Sequence, residues 1–407
     1  MLDRIAKKID SMRDGYREAW RSIIASIGHG ERSSLRRSPT VYYCADADRG
    51  YFIDGRAYAQ ILDSFRLSEE NDAVGECITI APLGSRLVGS RAYGAVEGPS
   101  LAYSLFYMLV FTLDCLTLKA SNWRSAVAVW NYSRRLRELE CVRIVGIQPP
   151  ESLVIAASRL GIKVFDLQHG DIAPGVPYYE YFCKHHTGMQ FMVWDEETRS
   201  VLVHDFLVDS GRVMVAGNPW VDAHIDSGKA DLLCLEKSTD QYSYDTDNRK
   251  KVLVTLQYNL RESYPENFDN EYVPRSLSRA ILDARDVLWI LRPHPIKIRD
   301  SKYVSSLISE FSRHENILVA DSDDISLPAL LKLMDLHVTW HSSSTVEAKL
   351  IGIPSLVLCT QPYIYSGASD ATRMGRLPYY QYQGSPLVAW AHGDEDRKYQ
   401  EIMKFVR

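Results

Sequence analysis

Apolar and polar positions along this chain follow two alternating periods, one typical of strands and the other typical of helices. Apolar runs of four or five residues predict strands at residues 40–44, 77–80, 143–147, 163–167, 190–194 and 213–217. Between two of these runs, residues 150–160 carry an apolar stripe at helical spacing that ends at Gly161. A strand, a helix and a second strand in so short a stretch are typical of a parallel sheet covered by helices.

The same alternation restarts after a polar stretch at residues 227–250. Strands are then predicted at residues 251–256, 287–291, 317–319, 336–340 and 355–358. Helices are predicted between them, at residues 274–284, 305–313, 327–334 and 345–351. The chain is therefore expected to have an α/β fold of two Rossmann-like, doubly wound parallel-sheet domains that face a cleft.

The length of 407 residues agrees with two domains, because a chain of this size exceeds one ordinary core. The predicted N-terminal domain is residues 1–226, residues 227–250 form a linker, and the C-terminal domain is residues 251–380. A tail at residues 381–407 is expected to pack back on the N-terminal domain.

Two apolar segments stand apart from this alternation. Residues 1–37 predict a basic amphipathic helix with an apolar stripe formed by Ile5, Ile9, Met12, Tyr16, Trp20 and Ile24. The stripe would pack on the domain or, alternatively, contact an anionic inner membrane. Residues 99–118 predict a buried helix, with a membrane-touching helix or a membrane span as the alternatives.

Composition narrows the class of protein. Apolar residues make up 46% of the chain and charged residues 24%, which is typical of a folded soluble protein. The net charge of −5 argues against a general nucleic-acid binder. Seven scattered cysteines without a CxxC pair favour a reducing compartment, and no secretory signal is visible, so we expect a cytoplasmic protein.

Candidate ligand-binding residues follow two predicted strands of the C-terminal domain. Arg292, Pro293, His294 and Pro295 come after the strand at 287–291. The prolines stiffen this loop, and a guanidinium with an imidazole suits a phosphate. The alternative is a rigid turn with an incidental histidine.

The second candidate loop, residues 341–347, follows the strand at 336–340. Ser344 and Glu347 have the spacing of a capping box, so we expect Ser344 to cap a helix that begins at Thr345. Ser342 and Ser343 would then offer hydroxyls beside open backbone amides, which together form a phosphate site. Serines that serve only as caps are the alternative.

A third strand end carries residues suited to proton transfer. Gln168, His169, Gly170 and Asp171 follow the strand at 163–167. Asp171 is the first candidate for a general base or acid and His169 for a positioning donor. An exposed turn aspartate is the alternative for Asp171.

These motifs resemble those of GT-B glycosyltransferases that use cytidine-activated donors, over about residues 140–360. The resemblance rests on the Arg292–Pro295 and Ser342–Ser344 motifs, on Glu347 to Pro354, and on 167–170, 193–195, 217–219 and 252–257. The chain is most similar to the retaining β-Kdo transferases of capsule and O-antigen assembly, with sialyltransferases, polysialyltransferases and CDP-glycerol transferases as relatives. Those transferases commonly have an aspartate at the position of Glu262.

The resemblance implies a role for each of these residues. The C-terminal domain would bind the nucleotide sugar through Arg292, His294, Pro295, Ser342, Ser343, Ser344, Thr345 and Glu347. Glu347 would accept ribose hydroxyls or, alternatively, act in the cap. Gln168 and Gln257 would contact the acceptor or donor sugar, and Glu262 would be the nucleophile if the mechanism uses one. The N-terminal domain would bind the acceptor.

The predicted function is transfer of an acidic sugar, Kdo as first candidate, from a CMP-linked donor to an O-antigen or capsule glycan, on an acceptor that is lipid-linked. The enzymatic alternatives are CDP-glycerol or another polyol-phosphate transfer, and epimerisation of a UDP-sugar. A non-catalytic subunit of capsule assembly or export is the alternative outside enzymes. No cofactor and no metal are expected, since the Asp-x-Asp triplets are weak signals and a helix N-terminus with arginine can neutralise phosphate. No nucleic acid is expected as a partner, whereas a peripheral contact with the inner membrane is.

Overall fold

A computed structural model gives the architecture of the chain. The structure describes residues 17, 20, 21, 24, 38–53, 55–70, 77–117, 123–225, 248–257, 260–269, 272–294, 297, 300–311, 313–320, 325–359 and 377–407. Most of the predicted linker, residues 227–247, lies outside them, as do Pro295 and four residues of the N-terminal stripe (Ile5, Ile9, Met12 and Tyr16). Trp20 and Ile24 of that stripe are 56% and 66% exposed, so the predicted packing is not seen at these two positions.

The first half of the chain forms nine strands and seven helices among the described residues. The strands are β1 (Thr40–Tyr43), β2 (Tyr51–Ile53), β3 (Arg56–Tyr58), β4 (Ile78–Ile80), β5 (Val96–Glu97), β6 (Arg143–Gly146), β7 (Lys163–Leu167), β8 (Met189–Val193) and β9 (Val213–Val215). The helices are α1 (Gln60–Glu70), α2 (Leu101–Thr117), α3 (Trp123–Glu138), α4 (Glu151–Arg159), α5 (Pro177–His185), α6 (Glu196–His204) and α7 (Pro219–Ile225).

The second half repeats the alternation. Its strands are β10 (Lys250–Thr255), β11 (Val287–Arg292), β12 (Ile317–Val319), β13 (Leu336–Thr339), β14 (Ser355–Val357) and β15 (Val388–Trp390). Its helices are α8 (Leu260–Ser263), α9 (Arg275–Asp283), α10 (Ser301–Phe311), α11 (Leu327–Leu331), α12 (Ser344–Ile351) and α13 (Glu395–Val406).

Two parallel sheets follow from these elements, as predicted. One has seven strands in the order β5-β4-β1-β6-β7-β8-β9, and the other has six in the order β12-β11-β10-β13-β14-β15. All their neighbouring strands pair in parallel. In each sheet the first strand lies between the second and the fourth of that sheet, which is the doubly wound order. The short antiparallel pair β2–β3 is separate.

The chain divides into two compact units that do not follow the order of the sequence. Unit 1 comprises Met1–His169, Tyr181–Asp195 and Leu207–Pro219. Unit 2 comprises Gly170–Glu180, Glu196–Phe206 and Trp220–Arg407. Two internal segments of the first half, and its last residues from Trp220 on, therefore belong to unit 2. Lys349 of α12 binds Glu197, from one of these segments, at 2.8 Å.

The core of unit 2 has two layers, because successive residues of a strand point to opposite faces. Val252 and Val254 of β10 pack in the layer that holds helices α9, α10 and α13. Leu253, between them, packs in the layer formed with α11 and α12. The buried strands and their helical cover explain why these sequences read as continuous apolar runs.

The C-terminal tail also joins unit 2. Strand β15 extends the sheet by pairing with β14, and α13 packs on α9. Arg279 Nη1 binds Asp396 at 3.0 Å, and the Tyr399 hydroxyl donates to Asp283 at 2.9 Å. The sequence prediction placed this tail on the N-terminal domain; its helix α13 packs on α9, while Gln381 at its start donates to Asp171 of the predicted N-terminal domain.

Helix α2 corresponds to the predicted helix at 99–118, but one side of it is exposed. Tyr103, Val110 and Phe111 are buried, whereas Leu105 and Leu109 are 49% and 55% exposed. The prediction of a buried helix is therefore right for only one side, since apolar residues surround the helix and periodicity could not reveal an exposed face. Among the described residues, no helix has the length and apolar character needed to cross a membrane.

Candidate functional site

A buried polar network lies under the carboxyl ends of β10 and β13. The His337 ring nitrogens are each 2.9 Å from a hydroxyl, Nε2 from Thr255 Oγ1 and Nδ1 from Ser355 Oγ. Ser344 Oγ is 2.9 Å from Thr255 Oγ1. Burial lowers the pKa of His337 to about 3, so the ring is neutral and fixes three strands and the start of α12.

The start of helix α12 differs from the predicted cap. The helix begins at Ser344, and its N-cap residue, Ser343, has a helical backbone conformation. The Ser343 side chain makes no capping hydrogen bond. Ser344 is 2% exposed and its hydroxyl is turned into the buried network. The predicted capping box of Ser344 and Glu347 is therefore wrong, because the buried imidazole and threonine take the hydroxyl that a cap would need.

The neighbouring hydroxyls have different environments. Ser342 and Ser343 are half-buried, and Ser342 Oγ accepts from the Ser344 amide at 3.3 Å. Thr345 is fully buried. The amides of Thr345, Val346 and Glu347 donate to the carbonyls of Ser342 and Ser343, so they are used within the turn. Two hydroxyls, of Ser342 and Ser343, thus lie nearest to solvent at this helix start.

Glu347 and Arg292 form the charged part of this strand edge. Arg292 is the last residue of β11, is 3% exposed, and donates from Nη1 to the Ile325 carbonyl at 2.8 Å. Burial raises the pKa of Glu347 to about 7, and the positive charge of Arg292 opposes this rise. Glu347 Oε2 is buried without a hydrogen-bond partner among the residues that the structure describes. This carboxyl can accept a hydrogen bond from a ligand hydroxyl.

Residues of the Arg-Pro-His-Pro motif are held differently from each other. Arg292 belongs to the strand rather than to a stiff loop, and Pro295 lies outside the described residues. His294 is half-buried, and burial lowers the pKa of its ring. Its carbonyl accepts from the Lys297 amide at 2.8 Å. A neutral imidazole therefore lies just beyond the end of β11.

Gln257 joins the end of β10 to the end of β13. Its Oε1 accepts from the His341 amide, and its Nε2 donates to His341 Nδ1, both at 3.0 Å. The Tyr379 hydroxyl donates to the His341 carbonyl at 2.9 Å. Burial lowers the pKa of His341, so its ring is neutral with the proton on Nε2. Sequence reasoning gave His341 no role, although it directly follows a predicted strand.

Gln257 and Glu262 also line a cavity of about 340 Å³ in unit 2. Arg261, Lys297 and Tyr303 contribute to the same wall, and the Lys297 ammonium lies 5.3 Å from the Tyr303 ring centroid. Glu262 is exposed. Two cations, a carboxylate and aromatic rings around one cavity can bind an anionic, hydroxylated ligand.

Asp171 is anchored rather than free at a turn. It is half-buried, and its Oδ1 accepts from Gln381 Nε2 at 3.1 Å. Gln381 belongs to a 3-10 helix, Tyr380–Tyr382, in which the Tyr380 hydroxyl also binds Asp205. The alternative of an exposed turn aspartate is therefore wrong for Asp171.

Unit 1 holds the other two predicted residues of this motif. Gln168 is 1% exposed and its Oε1 accepts from the Trp194 amide at 2.8 Å, so it ties β7 to β8. His169 is half-buried, and burial lowers its pKa while the charge of Asp48 raises it. Burial in turn raises the pKa of Asp48, which follows β1. In the sequence, Asp48 stands out only as part of an Asp-x-Asp triplet, and nothing there indicates that it lies near His169.

The structure thus distributes the predicted site residues between the units. Unit 2 contains Asp171, Gln257, Glu262, Arg292, His294, Ser342, Ser343, Ser344, Thr345 and Glu347, whereas unit 1 contains Gln168 and His169. In the described part of the chain, no three His, Cys, Asp or Glu side chains cluster as metal ligands.

Comparisons with known proteins identify the fold. No protein-family model and no curated protein matches this sequence. The solved UDP-GlcNAc 2-epimerase from Neisseria meningitidis, bound to UDP-GlcNAc, has a TM-score of 0.54 at 13% identity, over 90% of this chain and 91% of that chain. MnaA from S. aureus, solved with UDP, has a TM-score of 0.53 at 13% identity, over 91% and 88%. The chain has a glycosyltransferase-like GT-B fold.

The same fold is found in the UDP-GlcNAc 2-epimerase from Methanocaldococcus jannaschii in complex with UDP-GlcNAc and UDP. Its TM-score is 0.52 at 12% identity, over 90% of this chain and 92% of that chain. Such likenesses extend over both sheets of the GT-B fold. At these identities they concern the fold and not the chemistry, because one fold supports many sites.

Proposed function

We propose that this protein is a glycosyltransferase that moves an acidic sugar, Kdo as first candidate, from a CMP-linked donor to a bacterial surface glycan on a lipid-linked acceptor. The observation that carries the proposal is the buried Glu347 beside Arg292, at the carboxyl ends of β11 and β13. In an open α/β sheet these ends are where nucleotides bind. The transfer reaction would take place in the cytoplasm.

The nucleotide would lie along this edge of unit 2. Glu347 accepts the ribose hydroxyls, His294 donates to the phosphate, and the hydroxyls of Ser342 and Ser343 bind it from the neighbouring loop. Arg292 supplies positive charge from behind, since its Nη1 is already used by Ile325. Ser344 and Thr345 are buried and support the loop from below.

Transfer breaks the bond between the anomeric carbon and the CMP oxygen, and the electron pair leaves with CMP. The acceptor hydroxyl attacks the anomeric carbon and gives its proton to a base, for which Asp171 is the first candidate and His169 the second. In a retaining reaction Glu262 would first form a bond to that carbon as CMP leaves, and the acceptor oxygen would then displace the Glu262 carboxylate. Gln257, Arg261 and Lys297 line the cavity that would receive the acidic sugar.

Four donors test the proposal. The purified chain is incubated with CMP-Kdo, CMP-sialate, CDP-glycerol or UDP-GlcNAc, and the products are separated by chromatography. We expect CMP release from CMP-Kdo, and more of it in the presence of a glycan acceptor. Turnover of CDP-glycerol alone would favour polyol-phosphate transfer, and conversion of UDP-GlcNAc to its epimer would favour an epimerase. Absence of cytidine-nucleotide binding in calorimetry would support a non-catalytic subunit.

We also propose that turnover needs no metal and no cofactor, because the positive charge of Arg292 offsets the negative charge of a phosphate to which His294, Ser342 and Ser343 would donate hydrogen bonds. The rate is compared before and after EDTA treatment. Loss of activity that Mg²⁺ restores would contradict this part of the proposal.

A further inference from the structure

An exposed apolar face covers one side of α2 and α3 in unit 1. Its side chains are between 39% and 64% exposed, and we call it the α2–α3 face; they are Leu101, Leu105, Phe106, Leu109 and Leu113 of α2, with Trp123 and Trp130 of α3. A monomeric protein in water rarely exposes so many large apolar side chains side by side.

The face is continuous. Leu101, Leu105, Leu109 and Leu113 recur every fourth residue, so they form one row about 18 Å long. The Phe106 ring lies 6.3 Å from the Trp130 ring and joins this row to α3. Residues 101–113 include no Asp, Glu, Lys or Arg, so no charge interrupts the row.

Positive charge borders the face on α3. Arg134 and Arg137 follow Trp130 by one and two turns on the same side of the helix, and both are exposed. The nearby acids are already paired, since Glu138 binds Arg134 at 2.7 Å and Glu97 binds Arg135. These pairs offset the charges of Arg134 and Arg135 as well, so Arg137 supplies the positive charge of the border.

We propose that the α2–α3 face binds the surface of an anionic phospholipid bilayer. Leucines would enter the acyl boundary, Trp123 and Trp130 would sit at the headgroups, and Arg137 would meet a lipid phosphate. A second copy of the chain fits less well, because the acids beside this face, Glu97 and Glu138, are already bound to arginines of the same chain and are not available to a partner. Trp20 and Ile24 of unit 1, near Arg17 and Arg21, are exposed in a similar way.

Flotation of the full chain with vesicles tests this inference, and it does not depend on which donor the site takes. We use vesicles of phosphatidylcholine with phosphatidylglycerol, and vesicles of phosphatidylcholine alone. The wild type should float with the anionic vesicles, and Leu105→Asp with Leu109→Asp should lower the bound fraction roughly tenfold or more. The matched control is Ile308→Asp, an equally exposed apolar residue on α10 of unit 2, which should bind like the wild type.

A further variant tests the charged border. Arg137→Gln should lower the preference for anionic over neutral vesicles by roughly fivefold, since each basic residue near such a surface contributes about 1 kcal/mol. The aspartate variants count as folded only if they unfold cooperatively on heating. If they do not, Trp123→Ala, a milder substitution in the same face, takes their place.

Three results would overturn the inference. One is a wild type that floats with neither kind of vesicle, and another is a Leu105→Asp, Leu109→Asp variant that floats normally. The third is a wild-type dimer in light scattering that these substitutions dissociate, without any vesicle binding. That last result would assign the face to a second copy of the chain.

Discussion

The two sheets have the same strand order around their first strands, yet their carboxyl ends carry different side chains. In unit 2, β10 lies between β11 and β13, and the ends of these strands hold hydroxyls, neutral imidazoles and the buried Glu347. In unit 1, β1 lies between β4 and β6, and its end leads to a buried ion pair of Arg49 with Asp63 at 3.1 Å.

The ionisable groups near the carboxyl end of β1 also differ from those at the strand ends of unit 2. Asp48 and His169 shift each other's pKa there, in a pairing that suits proton transfer. The edge of unit 2 instead suits hydroxyls and phosphate. Topology thus sets where a ligand can bind, and the residues that directly follow each strand decide which chemistry that place supports.

The largest expected effect concerns the proton-transfer group, for which unit 2 offers Asp171 and unit 1 offers His169. We expect Asp171→Ala to lower transfer by about a hundredfold to ten-thousandfold, because a general base contributes that much. CMP binding, measured by calorimetry, should be unchanged. His169→Ala should have a smaller effect on transfer.

The control for Asp171 is Gln381→Met, which removes the hydrogen-bond donor but keeps the carboxylate. It should retain most of the transfer rate. Equal losses in both variants would mean that Asp171 only anchors the 3-10 helix, and a normal rate for Asp171→Ala would move the base to unit 1.

The second effect concerns the pH dependence of stability at the edge of unit 2. Burial raises the pKa of Glu347 from 4.5 to about 7, so the folded protein binds more protons than the unfolded chain between these values. Stability therefore falls as the pH rises through this window. Glu347→Gln should remove that loss and be more stable than the wild type at pH 8, by up to about 3 kcal/mol.

Urea unfolding at pH 4 and pH 8 measures this difference, which should be small at pH 4. Glu262→Gln is the matched control, because it makes the same substitution at an exposed position. CMP affinity of the wild type should rise with pH near 7 if the ionised carboxylate accepts ribose hydroxyls. A flat affinity profile would argue against that contact.

The third effect separates buried from solvent-facing hydroxyls. Ser344→Ala leaves Thr255 and His337 with one partner fewer, which should cost about 1–2 kcal/mol in the free energy of unfolding. Ser342→Ala should change stability less and weaken CMP binding more. The reverse pattern in urea unfolding and calorimetry would exchange the roles of the two serines.

The smallest effect is expected at His294. Replacing it with alanine removes one neutral hydrogen-bond donor to the phosphate, so CMP binding should weaken by about fivefold, or about 1 kcal/mol. Calorimetry measures this change, with Lys302→Ala, an exposed residue of α10, as the control. Unchanged CMP binding would mean that the Arg-Pro-His-Pro motif only shapes a turn and that His294 does not bind the phosphate.

The period and spacing of apolar residues were sufficient to predict most of the strands and helices. Strands β7 and β12 have the predicted bounds, and the others of the predicted set differ by one or two residues at their ends. The strands β5 and β15 and the pair β2–β3 were not predicted. They lie at sheet edges or apart from the two sheets.

Side-chain direction at the site could not be read in the same way. Ser342 and Ser344 are two residues apart in one polar run, yet one hydroxyl lies near solvent and the other is buried. Nothing local distinguishes them, since the difference comes from His337 and Thr255 on other strands. The same holds for Arg292, whose partner Ile325 is distant in sequence.

By itself, therefore, the sequence determined the alternation of strands and helices, the doubly wound class and the strand ends at which polar residues gather, because these depend on periods within short segments. Tertiary structure alone decided which hydroxyls are buried, how far Glu347 is shielded from water and which side of α2 remains exposed. Those properties depend on neighbours that are distant in the chain, and burial is a property of contacts rather than of the residue.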